Sequence, residues 1–444
     1  MFKQYQKDIE FIEGLGNIPR KNYMLGIKDR SIFIDRTRKF LTLVGSPEKK
    51  LKFIHIAGTS GKGTTTKILQ ALMTDAGYKV GAYISPFATT TIEKVSVGDK
   101  LMKPQILHKI LEEKIKPAWD KYTLNYKDDP ISYFETWLAI ALLYFQEQGC
   151  DWVVLEAGLG GTHDATNVIP EAKVAAITNI GLDHTEILGD TKEKIAKDKS
   201  GIIKRNSIFI STEHNKKLRQ IFKTTCKKKQ AWFIETENLA EDYQLSDYFN
   251  TPRQTENLNL ALNILDILKI KPKNTQKVIT NFKLNCRQEI IQSPQSGIPN
   301  TGKSPLVILD GSHNRDKLDN LINFVNQRKY KKLHLVLGFA HNKNYRLPLK
   351  KLLAISDRVY LTRFIIPERK TADLRKLYQT SKNIAPKIPI HIYNDPYQAL
   401  DLALKSAKKD DLILITGSFF LSGELRKRWV SEEYILKTLK LDKS

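Results

Sequence analysis

Cysteine is scarce in this chain of 444 residues: Cys150, Cys226 and Cys286 are the whole complement. They are odd in number and far apart, which excludes a disulfide framework and a paired-cysteine metal site and fits a reducing compartment. Long hydrophobic runs are also missing. The longest, Trp137 to Phe145, is too short to span a bilayer. Met1 to Asn17 is charged from Lys3 onward and has no signal-peptide apolar core. These absences lead to the expectation of a cytoplasmic protein with no membrane partner. Acidic charge is in deficit, with 48 Asp and Glu against 72 Lys and Arg and a net charge of +24. Such an excess brings nucleic acid to mind. The lysines, however, are spread along the chain, and the densest run, Lys227-Lys228-Lys229, has no interleaved aromatics. A solvated basic surface that favours a polyanionic small substrate is the simpler reading, and no nucleic-acid partner is expected.

What is present points to two α/β domains. The length suits two domains or three, and a hydrophobic fraction of 41% supplies a substantial core. The organising stretch is Lys52 to Ser85. KFIHIA reads as a buried strand, TTKILQALMTDAG as a helix with Ile68, Leu69, Leu72 and Met73 on one face, and YKVGAYIS as a second strand. Between strand and helix lies Gly58-Thr59-Ser60-Gly61-Lys62-Gly63-Thr64. Backbone N–H groups in such a turn converge on one spot, and the helix dipole adds positive potential there. The glycines let the chain approach an anion, Lys62 supplies a point charge for terminal phosphates, and the Thr64 hydroxyl can reach Mg²⁺. Gly63 separates Lys62 from Thr64, a departure from G-x-x-x-x-G-K-[ST].

Upstream, Tyr5, Ile9, Ile12 and Leu15 make one helical stripe ending at Gly16, and Ile32 to Val44 makes another ending at Gly45-Ser46-Pro47. Downstream, Pro86-Phe87-Ala88 opens a loop before a short strand, Glu93 to Val97. That loop leaves the carboxyl end of a strand beside the phosphate turn, where ligands bind in open α/β sheets. Ser132 to Phe145 reads as a helix capped by Ser132, with Glu135 three residues on. Asp151 to Ala157 is a buried strand that ends in Glu156, a carboxylate costly to bury alone. Mg²⁺ is the natural partner, and a paired structural Glu is the alternative. Lys173 to Ile180 is the next strand and delivers Gly181-Leu182-Asp183-His184, with His184 open as a metal ligand or as a satisfied structural histidine. Lys192 to Ile203 reads as a basic helix, and nothing in its spacing singles out Lys199.

Strand patterns at Leu306 to Leu309, Leu333 to Leu337, Arg358 to Leu361, Ile390 to Tyr393 and Leu412 to Thr416 alternate with helices such as Lys317 to Gln327 and Pro396 to Ser406. That alternation indicates a second, doubly wound sheet. The expected organisation is an ATP-binding domain over 1–292, a hinge over 293–305 and a Rossmann-like domain over 306–444. A ligand cleft between two such domains would close on substrate.

Several blocks together resemble the folylpolyglutamate synthase/dihydrofolate synthase family of the Mur-ligase superfamily. They are H-I-A-G-T-S-G-K-G-T (55–64), I-S-P (84–86), F-E-T (134–136), L-E-A-G-L-G-G-T-H-D-A-T-N (155–167), I-G-L-D-H-T-E-I-L-G-D-T (180–191) and I-A-K-D-K-S-G-I-I-K (195–204). L-D-G-S-H-N (309–314) and I-T-G-S-F-F-L-S-G-E-L-R (415–426) complete them. The resemblance implies an N-terminal P-loop-type ATPase domain and a C-terminal glutamate-binding domain. Gly58 to Thr64 would hold ATP phosphates, with Asn257, Arg287 and Asp310 as further ATP contacts. Thr64, Ser85, Glu156 and His184 would hold two Mg²⁺ ions, and Lys199 matches the lysine that the family carries as a carbamate ligand. The family pattern also leaves room for a monovalent cation. Pro86 and Phe87 would line the folate site beside Ser85, and His313 and Ser418 would lie near the incoming glutamate.

The implied reaction is ATP-dependent ligation of L-glutamate to tetrahydrofolate, and also to dihydropteroate, through an acyl phosphate in a monomeric enzyme. The chain departs from the family at Phe87-Ala88, where His-Leu usually stands, at Asn285-Cys286 in place of Pro-Gly, and at His341-Asn342-Lys343-Asn344 in place of an acidic D-K-D. A Mur-type ligase acting on another acid, supported by Phe87-Ala88, is one alternative. A nucleic-acid-stimulated P-loop ATPase, supported by the net charge, is the other.

Overall fold

A computed structural model describes residues 2–15, 31–293, 304–341, 345–366 and 370–442. Most of the expected hinge, Gly16 and three of the four residues at 341–344 lie outside the described residues. The chain divides into two compact units, Met1–Ser85 with Thr91–Phe282 and Leu436–Lys440, and Pro86–Thr90 with Lys283–Ile435 and Leu441–Ser444. Among the described residues, no helix is long and apolar enough to cross a membrane.

The first unit is built on strands β1 (Phe53–Ala57), β2 (Val80–Tyr83), β3 (Val95–Val97), β4 (Lys100–Leu101), β5 (Trp152–Glu156), β6 (Val174–Ile177), β7 (Ile208–Ser211) and β8 (Trp232–Ile234). They lie side by side in the order β4-β3-β2-β5-β1-β6-β7-β8. Pairing is parallel from β2 to β8, whereas β3 and β4 close one edge antiparallel. Every residue of β1 and β6 is buried, as their unbroken apolar runs require when both sheet faces are covered. The neighbours β2, β5, β1 and β6 run parallel, so Glu156 at the end of β5 and the segments carrying Ser85, Gly58 to Thr64 and Thr178 to His184 lie at the carboxyl ends of the strands.

The helices follow local chemistry. Lys62–Asp75 begins at Gly61 and buries Ile68, Leu69, Leu72 and Met73. Tyr133–Glu147 starts in a capping box: Ser132 N–H donates to Glu135 Oε2 at 2.7 Å, and Glu135 N–H returns to Ser132 Oγ at 3.4 Å. Glu135 is fully buried because the Arg36 guanidinium grips both of its oxygens at 2.9 and 3.0 Å. Arg36 lies on the helix Ile32–Leu43, so this pair also fixes that helix.

Three expectations need correction. On the first helix, Phe2–Gly14, the buried face runs Tyr5, Asp8 and Ile12, with Ile9 only half buried. A carboxylate therefore occupies a core-facing position. The expected strand from Glu93 is shorter, because Thr91–Lys94 forms a 3₁₀ turn and only Val95–Val97 pairs. The expected helix from Lys192 ends at Lys199 and tightens into a 3₁₀ turn over Ser200–Ile202.

The second unit holds β9 (Glu289–Gln292), β10 (Leu306–Leu309), β11 (Leu333–Leu337), β12 (Arg358–Leu361), β13 (Ile390–Ile392) and β14 (Leu412–Thr416). Their order is β13-β12-β11-β14-β10-β9. All pairs are parallel except β9 with β10. Helices Arg315–Asn326, Arg346–Leu353, Leu374–Ile384, Pro396–Ser406 and Phe419–Arg426 alternate with the parallel strands. Apolar clusters around Leu321 and Leu335, and around Ile413 and Leu425, make the core. Because β9 pairs with β10, the chain joins this sheet upstream of the boundary expected at 292.

Candidate active site

The loop after β1 has a conformation only glycine accepts easily. Gly58 has φ +144°, and a Cβ there would lie 1.9 Å from Thr178 Oγ1. Gly61 has φ +87°, and its Cβ would lie 2.1 Å from Asn257 Oδ1. Asn257 stands on the helix Pro252–Ile267, held by a 3.0 Å bond from its amide to Gln254 Oε1. The segment after β6 fixes the loop from the other side. Thr59 N–H donates to Asn179 O and Ser60 N–H to Asn179 Oδ1, each at 2.9 Å, while Thr178 Oγ1 donates to Ser60 O at 2.5 Å. Gly181 N–H donates to Thr59 Oγ1 at 2.9 Å.

Ser60 Oγ is buried without a hydrogen-bond partner among the described residues. Gly63 and Thr64 are buried in the first helical turn, and Lys62 Nζ reaches back to Gly58 O at 3.1 Å. A rigid turn at a helix N-terminus, with a spare hydroxyl and a cation, fits a phosphate chain. Gly61→Ala is therefore expected to weaken ADP binding at least about tenfold, because it adds backbone strain and drives a methyl group into Asn257. Calorimetric titration with ADP checks this, and an unchanged affinity would remove the loop from the binding site.

Glu156, at the end of β5, is buried, and Ser85 N–H donates to its Oε2 at 3.0 Å. His184 adopts the left-handed conformation, φ 53°, where the short helix Thr185–Leu188 begins. Its ring nitrogens lie 3.9 Å from Asp183 Oδ1 and from Glu186 Oε1. Lys199 is buried at the end of the helix Lys192–Lys199. Burial, and next the positive charge of Lys62, bring its pKa down to about 7. The Gly158 to Thr162 loop packs on this helix end: Thr162 N–H and Oγ1 donate to Asp198 O at 2.9 and 2.8 Å, and a Cβ on Gly161 would lie 2.6 Å from Lys199 O. Two ammonium groups near one region repel, which favours the neutral amine of Lys199. A carbamate on that amine would offer oxygen donors like those of Glu156. Hard oxygen donors beside a phosphate cradle fit Mg²⁺.

Sequence reasoning missed the residues that hold this scaffold. Asn179 and Thr178 brace the phosphate loop. Asp164 accepts Leu159 N–H at 2.7 Å and Thr166 N–H at 3.0 Å, and burial pushes its carboxyl above the usual range. Its signal was an Asp followed two residues later by Thr just past a glycine cluster, an Asx-turn pattern.

In the second unit, Asp310 is buried and accepts Gln288 N–H at 2.8 Å and Ser312 N–H at 2.7 Å. Burial raises its pKa, against these bonds and the nearby Arg287. The Arg287 guanidinium lies 4.9 Å from the Phe419 ring centroid, and Cys286 and Gln288 on either side are both left-handed. His313 Nδ1–H donates to Gly311 O at 3.0 Å. Ser418 caps Phe419–Arg426, accepting Phe420 N–H at 3.2 Å. Pro86 and Phe87 are half-buried, while Ala88 is buried so closely that a Cβ on Gly423 would lie 1.9 Å from Ala88 O.

A P-loop parallel sheet followed by a doubly wound sheet defines the Mur ligases. Residues 56–274 match the Mur ligase middle domain, and residues 298–419 match the Mur ligase glutamate ligase domain. The chain is 30% identical over 422 residues to the dihydrofolate synthase/folylpolyglutamate synthase of Buchnera aphidicola subsp. Acyrthosiphon pisum, covering 90% of this chain and 95% of that one. It is 27% identical to the Bacillus subtilis protein of the same name, covering 96% and 100%. Escherichia coli FolC in complex with DHPP and ADP superposes with a TM-score of 0.76 at 25% identity, covering 96% and 97%. The chain belongs to the folylpolyglutamate synthase/dihydrofolate synthase family.

Proposed function

We propose that this chain is an ATP-dependent ligase that joins L-glutamate to tetrahydrofolate, with dihydropteroate as a second acceptor. The observation that carries the reading is the Gly58 to Thr64 cradle, braced by Asn257 and Asn179, in a chain of this family. The relatives' names, dihydrofolate synthase/folylpolyglutamate synthase, support a folate-class acceptor and glutamate as the added group. A monomer that binds neither nucleic acid nor membrane completes the reading.

A carboxylate resists attack by an amine because hydroxide is a poor leaving group. Transfer of the γ-phosphoryl group of ATP to the folate carboxylate makes an acyl phosphate, which the amino group of glutamate can attack. Lys62 neutralises charge that develops on the transferred group. The loop amides of Gly58 to Thr64 orient the phosphates, and Asn257 shapes the wall beside Gly61. Mg²⁺ at two sites, held by Thr64, Ser85, Glu156, His184 and a carbamate on Lys199, would supply further positive charge to the phosphate oxygens, with a monovalent cation as an accessory. On the second unit, Arg287 and Asp310 belong to the nucleotide, and His313 and Ser418 to glutamate.

Labelled L-glutamate incorporation with ATP and Mg²⁺, run in parallel with tetrahydrofolate and dihydropteroate, tests the reading. Incorporation into tetrahydrofolate establishes it. Incorporation into neither, with ATP still bound, would point to another acid and to Phe87-Ala88, the departure that favours that alternative.

The carbamate has its own test. Only the neutral amine takes up CO₂, and with a pKa near 7 Lys199 is part neutral where an exposed lysine is not. Its folded pKa lies below the unfolded value of 10.5. The stability cost of burying the ammonium is thus full below the folded value and fades as pH rises above it. At fixed dissolved CO₂ the carbamate fraction rises in the same direction. Removing CO₂ is expected to lower turnover severalfold and bicarbonate to restore it, with no response in Lys199→Arg. Turnover indifferent to CO₂ would rule the carbamate out.

A further inference from the structure

The helix Phe2–Gly14 buries Tyr5, Asp8 and Ile12 at alternating spacings of three and four, so Asp8 takes a place that the pattern reserves for an apolar side chain. Its side chain is 2% exposed. Its Oδ2 has no hydrogen-bond partner among the described residues. A buried carboxylate oxygen left unpaired is costly and requires a cause. The other oxygen, Oδ1, faces His108 Nδ1 at 3.0 Å. His108 lies on the neighbouring helix Pro104–Ile110, and Glu112, four residues on, turns Oε1 to within 3.9 Å of the same ring nitrogen. One donor atom from each of Asp8, His108 and Glu112 falls within 4.8 Å of the others. Gln4, one turn before Asp8, brings its amide nitrogen to 3.1 Å from Asp8 Oδ1 and 3.4 Å from His108 Nδ1. Rotation of that amide by half a turn would present its oxygen instead.

We propose that Asp8, His108 and Glu112 form a binding site for a borderline divalent cation of the Zn²⁺ class, with the Gln4 amide oxygen as the fourth donor. Tetrahedral donors about 2.0–2.1 Å from Zn²⁺ stand roughly 3.3–3.4 Å from one another. The two separations from His108 Nδ1, 3.0 and 3.9 Å, bracket that value, and all three donors lie within 4.8 Å of one another. An imidazole nitrogen among the donors selects Zn²⁺, Co²⁺ or Ni²⁺ over Mg²⁺. These residues are separate from those assigned to Mg²⁺ above. Bound there, the ion would tie Phe2–Gly14 to the helix Pro104–Ile110. Tyr5 on the first of these accepts the Ile92 N–H at 3.3 Å, shortly after the Pro86 to Thr90 loop. The internal competitor is Lys116, whose ammonium pairs with Glu112 Oε1.

Metal-stripped full-length protein, saturated with Mg²⁺ and ADP, is titrated with Zn²⁺ by calorimetry and with Co²⁺ by visible absorption. One Zn²⁺ per chain with micromolar or tighter affinity is expected, with a Co²⁺ band at the same stoichiometry. H108A should weaken binding at least about tenfold, since even outer partners of metal ligands are worth roughly 10–100-fold. K116M, which removes the competing ammonium from a partly exposed position, should tighten it. Absence of Zn²⁺ binding, binding that H108A leaves unchanged, or binding that weakens in K116M overturns the site.

Discussion

Lys62→Ala is expected to lower glutamate-ligating turnover by at least about 10²–10³-fold, the range for removing a single preorganised charge stabiliser, and to leave the fold intact. Lys62 begins the helix Lys62–Asp75 and is only partly buried, and its ammonium bonds a backbone oxygen, Gly58 O at 3.1 Å, within its own loop. Alanine at that helical position removes no apolar packing, so the melting temperature should move by no more than a few degrees. The loss has a second component. The Lys62 charge helps to hold Lys199 near pKa 7, so its removal lets Lys199 titrate higher and keeps more of it as ammonium. Added bicarbonate should then recover a small part of the activity in Lys62→Ala and none of the phosphate-directed part. Lys62→Arg keeps the charge but replaces a compact point with a planar fork, and should remain impaired. Steady-state turnover alongside thermal unfolding decides the matter. A folded variant within tenfold of the parent would remove Lys62 from the chemistry.

Much of the frame was legible because its signals are local. The phosphate loop shows in four residue types at fixed spacing between a buried strand and an amphipathic helix. Ser132 and Glu135 announce a capping box that forms. Four of the five parallel strands of the second sheet, β10, β11, β12 and β14, show as short apolar runs because they are buried on both faces, whereas the edge strand β13 is largely exposed. What local pattern does not show depends on partners distant in sequence, and for Asn257 and Lys199 only the family resemblance pointed to them. Asn257 lies 196 positions after Gly61, the glycine it packs against, and no periodicity links them. Lys199 looks like one more lysine on a basic helix until burial and Lys62 change its titration. β9 has no period of its own that would tell an antiparallel edge from a linker, and only its pairing with β10 assigns it. Asp8 breaks the pattern around it, and the stripe through Tyr5, Ile9, Ile12 and Leu15 passes over it.

Arg426→Ala is expected to destabilise the second unit by about 3–5 kcal/mol, the cost of stranding the partner of a buried ion pair. Arg426 is fully buried on the helix Phe419–Arg426. Its Nε donates to both oxygens of Glu289 at 2.9 and 3.0 Å, its Nη1 to Thr89 Oγ1 at 3.1 Å and its Nη2 to Asn285 Oδ1 at 3.1 Å, with a further Nη2 bond to Leu441 O. One guanidinium thus binds β9, the segment before Arg287, the Pro86 to Thr90 loop and the C-terminal stretch. Alanine takes the guanidinium from a carboxylate that is 12% exposed and opens a cavity. The melting transition should fall by roughly 10 °C on the scaling for a unit of this size. Pairing Arg426→Met with Glu289→Gln tests the cause, because removing both charges avoids the stranded carboxylate and should recover a large part of the loss. Function divides the contributions further. Thr89→Val removes the hydroxyl that accepts the Arg426 Nη1 bond, so it should cost about 1–3 kcal/mol, less than Arg426→Ala, but raise KM for the folate acceptor more than it lowers kcat. A fall of less than about 3 °C in Arg426→Ala would mean that Glu289 finds water on relaxation, and that the four segments are held by packing and not by the guanidinium.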